Sequence, residues 1–206
     1  FFPILESDNR VLRPANYPAG APGKGVALIK KNDIDYLVIN LQGREFMYNI
    51  DCPFACLDSI LNDKEYETAV TLVDFHAEAP SEKEALAIYT DGRISVFAGT
   101  HTHVQTADER VLPGGTAYIT DLGMCGPIES IIGMDIGICL NRIKAQVPYR
   151  MEVATGIGSI QGICVEIDTE TRKAISIERI KETAEQMFNY NVSLERGLPI
   201  QMPSPR

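Results

Sequence analysis

The sequence has 206 residues, of which 45% are hydrophobic and 23% are charged, a composition typical of a globular protein with a sizeable core. Its formal net charge of −9 argues against broad binding to a nucleic-acid backbone, so nucleic acid is not expected as a stable partner. The longest apolar runs have the length of strands and the opening residues lack a basic start, so we expect neither a membrane span nor a signal peptide.

The first two thirds of the chain predict strands alternating with helices. The polar segment KNDID between two apolar runs indicates a hairpin. Ser81, followed three residues later by Glu84, matches a capping box at the start of a helix. In chain order, strands are predicted at 26–30, 36–41, 69–75, 94–98 and 116–120, and helices at 53–66 and from 81 to about 89.

The last third predicts one helix and then a meander of antiparallel strands. The helix covers 133–146 and ends before Pro148, and alternating apolar residues predict strands at 150–154, 161–168 and 174–180. Strand–helix units followed by a meander favour an α/β fold, in which helices cover sheets of mixed strand direction.

The three histidines carry the strongest chemical signal in the sequence. All lie between residues 76 and 103, and each follows the carboxyl end of a predicted buried strand. Loops at such ends commonly carry binding groups. His101 and His103 share one loop, the H-x-H loop, and imidazole is a common ligand of zinc, iron and related metals. His76 reaches them only if its strand neighbours theirs, as a βαβ unit over 69–98 predicts. A lone histidine at a strand end is usually a surface residue, so the H-x-H pair carries the metal hypothesis.

Gly99-Thr100-His101-Thr102-His103 is one of several distinctive short blocks that follow one another over most of residues 10–180. The others are RPANYP at 13–18, NLQGR at 40–44, DFHAE at 74–78, SEK at 81–83, YTDGR at 89–93, the remainder of the segment 99–108, and TDLGM at 120–124. The first block resembles the G-x-H-x-H segment of calcineurin-like metallophosphoesterases. Together and in this order, the blocks resemble the YmdB-type bacterial branch of that superfamily.

The resemblance implies a four-layer αββα sandwich of mixed sheets with a dinuclear metal site. His76 and His101 are expected to bind one metal ion and His103 the other, as divalent or trivalent iron, manganese or zinc. The family's remaining ligands and its catalytic histidine are expected upstream of Phe1. We therefore expect residues 1–182 to form the C-terminal portion of a single metallophosphoesterase domain, with 183–206 as a tail.

Five further residues are weaker candidates around this site. Asn16, Arg44 and Arg93 are candidates for contact with substrate phosphate or base, although arginine is also common in plain surface ion pairs. Glu78 is a candidate to orient His76 through a hydrogen bond, and Asp121 to do the same for the H-x-H loop. Ordinary roles in a loop, cap or turn explain Glu78 and Asp121 equally well.

The resemblance implies a metal-dependent phosphoesterase that hydrolyses a small phosphodiester, above all a 2′,3′-cyclic nucleotide. Two alternatives stay open: a non-catalytic regulatory or binding module, and an inactive fragment with an incomplete metal site. Unpaired sheet edges in a fragment would favour a homo-oligomer. Five scattered cysteines without paired C-x-x-C units favour a reduced, cytoplasmic protein.

Overall fold

The computed structural model of the chain describes residues 2–184. Within this range the helices are α1 (Phe2–Ser7), α2 (Pro53–Leu61), α3 (Pro80–Tyr89) and α4 (Ile136–Ala145), and a short 3-10 helix covers Lys64–Tyr66. The strands are β1 (Val26–Lys31), β2 (Ile34–Gln42), β3 (Val70–His76), β4 (Val96–Thr100), β5 (Arg110–Val111), β6 (Ala117–Ile119), β7 (Gly126–Pro127), β8 (Gly158–Ile167) and β9 (Ala174–Thr183).

A six-stranded sheet forms the framework, with the strand order β1-β2-β3-β4-β6-β5. Strands β2, β3, β4 and β6 are parallel, and the two outer strands β1 and β5 are antiparallel to their neighbours. A second sheet has three strands in the order β7-β8-β9. The predicted α/β fold with mixed sheets is therefore confirmed. Since the parallel strands end at the same edge of the large sheet, the loops that follow them meet there.

The two faces of the large sheet bury different partners, because successive side chains of a strand point to opposite faces. Val73 and Phe75 belong to the main core, together with Leu57 of α2 and Leu86 of α3. Leu72, adjacent to Val73 in sequence, packs in a second cluster that includes apolar side chains of β8 and β9. Each fully buried side chain of this size contributes about 1.5–3 kcal/mol to folding.

The predicted βαβ unit is present as β3, α3 and β4, with the two strands paired in parallel. The capping-box prediction at its helix is wrong. Helix α3 begins at Pro80, whose fixed φ suits a first helical position, and Ala79 precedes it without a side-chain cap. The Ser81 hydroxyl instead donates to Glu45, and the Glu84 carboxylate accepts from Arg110.

Other predicted elements differ at their boundaries, and one is wrong. The helix predicted over 53–66 ends at Leu61, and the one predicted over 133–146 is the ten-residue α4. The strand predicted at 150–154 does not form, because within the described residues it finds only an isolated bridge between Val153 and Met134. Alternation of apolar residues predicts a strand only where a neighbouring strand is available to pair.

The chain forms two compact units. The first consists of Phe1–Gly123 and Ile163–Arg179, and Met124–Gly162 is the main segment of the second. The single domain over 1–182 stays a prediction, and from residue 185 onwards the predicted tail lies outside the described residues. In the part of the chain that the structure describes, no helix combines the length and apolar character needed to cross a membrane.

Candidate metal centre

His76 and His101 meet at the carboxyl edge of the large sheet. His76 is the last residue of β3 and pairs in register with Thr100, the last residue of β4, so His101 follows directly beside it. The Nε2 atom of His76 lies 3.0 Å from the Nδ1 atom of His101, and the two rings are nearly perpendicular, at 86°. The structure therefore brings together two of the three predicted metal ligands.

The other nitrogen of His76 is fixed by a chain of hydrogen bonds that runs through the sheet edge. Asn40 Nδ2 donates to Asp74 Oδ2 over 2.7 Å, and the Thr100 hydroxyl donates to Asp74 Oδ1 over 2.8 Å. Because this hydroxyl has a single proton, it accepts from His76 Nδ1, which lies 3.2 Å away. The Nδ1 atom therefore carries the ring proton, and the lone pair of Nε2 points towards His101.

Glu78 imposes the complementary arrangement on His101. Its Oε2 atom lies 2.9 Å from His101 Nε2, so the carboxylate favours a proton on that nitrogen and a lone pair on Nδ1. Glu78 was expected to orient His76, but the turn after β3 carries its side chain across to His101. Two nitrogen lone pairs would then face each other at 3.0 Å, an arrangement that requires a cation, either a proton or a metal ion, between them.

The surroundings of His76 favour its neutral form. Burial lowers the pKa of the half-buried imidazole, and the neighbouring His101 lowers it further, against the opposing influence of Asp74. A neutral imidazole is the form that binds metal ions, since its lone pair is available. Electrostatics and hydrogen bonding at His76 therefore both suit a metal ligand.

The H-x-H loop departs from β4 in an unusual backbone conformation. His101 has φ 115° and His103 has φ 66°, positive values that are uncommon for residues with a side chain. Gly99 precedes the loop, and a Cβ at this position would lie 1.8 Å from the carbonyl oxygen of Thr120. Only glycine therefore lets β4 and the segment after β6 approach this closely. His103 lies two residues beyond His101 on the same loop, with its side chain exposed.

Asp121 binds the backbone of Thr102, the middle residue of the H-x-H loop. Its Oδ2 atom accepts from the backbone N–H of Thr102 over 3.0 Å and from Lys83 Nζ over 2.9 Å, and its Oδ1 atom accepts from Gly123 N–H over 2.9 Å. Burial raises the pKa of this carboxyl, but the hydrogen bonds from Thr102, Lys83 and Gly123 outweigh it, so the pKa is lowered. Asp121 therefore remains charged beneath the loop.

Lys83 is a site residue that sequence reasoning missed. The side chains of Lys83 and Asp121 are both 0% exposed, so the pair is fully removed from solvent. A signal was present in the sequence, because Lys83 shares the helical spacing of Leu86, Ala87 and Thr90, all of which are buried. A lysine on the apolar face of a helix indicates a buried partner of opposite charge.

The structure disfavours substrate contact by Asn16 and by Arg93, for two different reasons. The buried Asn16 amide is fully used, since it bonds both backbone groups of Gln42 and the carbonyl of Asp51. Arg93 precedes β4, at the opposite edge of the sheet, where it pairs with Asp58. The sequence could not show either fact, because burial, and the end of a strand that a residue approaches, depend on the tertiary structure. Substrate contact by Asn16 and Arg93 stays a prediction that the geometry disfavours.

Arg44 lies at the same edge of the sheet as the histidines. The residue before it, Gly43, donates its N–H to the carbonyl oxygen of His76 over 2.9 Å. The Arg44 guanidinium contacts Cys52 Sγ at 3.4 Å. A weak sulfur acceptor leaves most of the donor capacity of this guanidinium available to an anion. Of the three predicted substrate contacts, Arg44 is the one whose position fits that role.

A family model described as YmdB-like protein matches residues 1–180. The chain belongs to this family. Over 187 residues, 91% of this chain and 71% of the relative, it is 48% identical to a 2′,3′-cyclic-nucleotide 2′-phosphodiesterase of Bacillus subtilis. The predicted family and the phosphoesterase class are therefore confirmed.

Two solved structures have the same fold as this chain. A hypothetical protein from Thermus thermophilus superposes with a TM-score of 0.82 at 40% identity, over 88% of this chain and 70% of that one. A phosphatase from Mycoplasma pneumoniae gives a TM-score of 0.79 at 30% identity, over 92% of this chain and 71% of that one.

Proposed function

We propose that this chain carries part of a dinuclear metal site that hydrolyses phosphodiesters, with 2′,3′-cyclic nucleotides as the substrate class. The observation that supports it most strongly is the pair of facing nitrogens, His76 Nε2 and His101 Nδ1, whose outer nitrogens are both held by oxygen atoms. A histidine ligand commonly has its second nitrogen oriented in this way.

The two nitrogens are close enough to act together. His76 Nε2 and His101 Nδ1 lie 3.0 Å apart, and with Thr100 and Glu78 holding the outer nitrogens, both would direct a lone pair to the space between them. We propose that these two residues hold one metal ion and that His103, further along the same loop, holds the second.

The metal ions, when bound, would activate water and neutralise the charge of the phosphate oxygens. The chain's own residues would bind the metal ions and orient the substrate. His76 and His101 present their lone pairs in the tautomers that Thr100 and Glu78 impose, and the guanidinium of Arg44 offers donors to a phosphate oxygen. The oxygen of water bonds to phosphorus, the bond from phosphorus to one ribose oxygen breaks, and that ribose oxygen takes up a proton, so that the product is a nucleoside monophosphate.

The proposal is tested by metal content and hydrolysis measured on the same preparations. The purified chain is incubated with iron, manganese or zinc, dialysed, and analysed by elemental analysis, and it is then given 2′,3′-cyclic nucleotides. We expect His76→Ala and His101→Ala to lose the same ion, and His103→Ala to lose a different one. Metal binding by His101→Ala equal to that of the unaltered chain would overturn the proposed ligand set.

A second candidate function is metal or nucleotide binding without catalysis. Among residues 2–184, no three histidine, cysteine, aspartate or glutamate side chains lie close enough together to hold an ion. A dinuclear site needs more ligands than these histidines provide. A chain that binds metal through His76 and His101, yet does not hydrolyse any cyclic nucleotide offered, would support this candidate over the first.

We also propose a cytoplasmic location. All five cysteines lie within the described residues, and each is a free thiol there. Reduced thiols are typical of a reducing compartment, whereas secreted proteins commonly pair them. Labelling of the protein in fractionated cells would test this proposal, and recovery outside the cytoplasm would contradict it.

A further inference from the structure

The loop after β2, Gly43–Asp51, exposes two aromatic side chains at its tip. Phe46 is 89% exposed and Tyr48 is 86% exposed, the highest values for large hydrophobic side chains among the described residues. Exposed aromatic groups cost free energy in water, and their concentration in three residues indicates a binding surface. We call this segment the aromatic loop.

The aromatic loop starts beside the candidate metal centre. Gln42 pairs in register with His76, and Gly43 N–H donates to the His76 carbonyl oxygen over 2.9 Å. Phe46 is three residues further on, so its Cα lies at most about 11 Å from that of Gly43. The aromatic tip is therefore only a few residues along the chain from the sheet edge that carries His76.

A buried carboxylate anchors the start of the loop. Glu82 is buried in the first turn of α3, and its carboxylate accepts from the backbone N–H groups of Arg44, at 2.9 Å, and Glu45, at 3.1 Å. A backbone bond from Met47 N–H to the Arg44 carbonyl oxygen, at 3.2 Å, closes a turn. Phe46 lies within that turn in the left-handed region, with φ 61°.

Asn16 joins the two ends of the loop. Its Nδ2 atom donates to the carbonyl oxygens of Gln42 and Asp51 over 2.8 and 2.9 Å, and its Oδ1 atom accepts from Gln42 N–H over 3.0 Å. A buried amide with three such bonds is costly to lose, because its partners would remain unsatisfied. Buried polar groups at both ends therefore hold a loop whose tip exposes apolar surface.

We propose that Phe46 and Tyr48 form a stacking platform for the base of a nucleotide whose phosphate lies at the histidines, an inference that rests on the proposed function. Every nucleobase offers a flat face that stacks on an aromatic ring. A nucleotide accounts for both the position of the loop and its aromatic tip, because its phosphate and base are covalently linked. The acidic Glu45 and Asp51 on the same loop disfavour an anionic membrane surface as the alternative.

The platform is tested by binding, so that catalysis is not required. Titration calorimetry would compare cytidine 2′-monophosphate with ribose 5-phosphate, which has a phosphate but no base. We expect Phe46→Ala and Tyr48→Ala each to raise the Kd for the nucleotide about 5- to 100-fold and to leave the Kd for ribose 5-phosphate unchanged. Tyr48→Phe should retain nucleotide binding, and Tyr149→Ala, an exposed aromatic in the second compact unit, is the matched control.

Each other result overturns the platform. Unchanged nucleotide binding in Phe46→Ala/Tyr48→Ala would mean that the tip does not contact the base. Equal losses of affinity for the nucleotide and for ribose 5-phosphate would mean that the loop contacts the phosphate instead of the base. If the unaltered chain binds neither ligand, the loop does not form a platform. Nucleotide binding that depends on Phe46 and Tyr48, without hydrolysis or metal uptake, would refute the proposed function while leaving the platform in place.

Discussion

The fully buried pair of Lys83 and Asp121 makes the sharpest prediction for stability. Lys83→Met removes the ammonium group and keeps a side chain of similar length, so it leaves the Asp121 carboxylate buried without its counter-charge. Breaking a buried ion pair by removing one partner typically costs 3–5 kcal/mol, because the remaining charge is uncompensated.

The structure places this loss near the lower end of that range. After the substitution, Asp121 still accepts from the backbone N–H groups of Thr102 and Gly123. We therefore expect Lys83→Met to lower the free energy of unfolding by about 3 kcal/mol. For a chain of this size, that corresponds to a fall in Tm of about 6–12 °C.

Urea denaturation followed by circular dichroism measures the change. The matched control is Glu84→Gln, the next residue on α3, whose exposed pair with Arg110 should contribute at most about 1 kcal/mol. In the double variant Lys83→Met/Asp121→Asn, neither charge of the pair remains. We therefore expect its free energy of unfolding to fall by less than the sum of the decreases in Lys83→Met and Asp121→Asn. A loss in Lys83→Met no larger than that in Glu84→Gln would refute the reasoning.

Three further predictions concern the core and the sheet edge. Leu86→Ala should cost about 2–5 kcal/mol in urea denaturation, whereas Ile88→Ala, on the exposed face of the same helix, should cost about 0.5 kcal/mol or less; similar losses would contradict the assigned helix face. Gly99→Ala should fold poorly, because its Cβ would overlap the Thr120 carbonyl, and a soluble yield equal to that of the unaltered chain would show that the edge adapts. Burial raises the pKa of Asp108, but hydrogen bonds from two threonine hydroxyls outweigh it and the pKa is lowered, so its contribution is complete above about pH 4 and is lost as the pH falls further. In Asp108→Asn, the free energy of unfolding should fall less steeply below about pH 4 than in the unaltered chain. An unchanged pH profile of the free energy of unfolding would contradict this role of Asp108.

The sequence by itself determined most of the elements and the family, and it predicted where the metal site lies. Apolar runs indicated the hairpin of β1 and β2 and the buried strand β3, and helical spacing indicated α2, because side-chain periodicity reflects which face is buried; the short helix α1 was not predicted. The three histidines, all at predicted strand ends, indicated a metal site at one edge of a sheet. The motifs around them indicated the family, since many short blocks in order are unlikely to match by chance.

Only the tertiary structure decided how those residues meet. The register of β3 against β4 places His76 beside His101, and the turn after β3 brings Glu78 to His101 instead of His76. Arg93 belongs to a recognisable block of sequence, YTDGR. Because it precedes β4, however, it lies at the edge of the sheet opposite the histidines, where it pairs with Asp58. Contacts between residues distant in the chain depend on strand order and register, which local spacing does not specify.

The buried polar network illustrates the same limit. Lys83 lies 38 positions before Asp121 in the sequence, and nothing local to either residue identifies the other as its partner. The helical spacing of Lys83 shows that it faces the core, but the identity of its charged partner there depends on where the segment after β6 crosses α3. The sequence thus determined the faces of the elements, and the packing of the elements decided the pairs, because pairing energies arise only once distant segments are brought into contact.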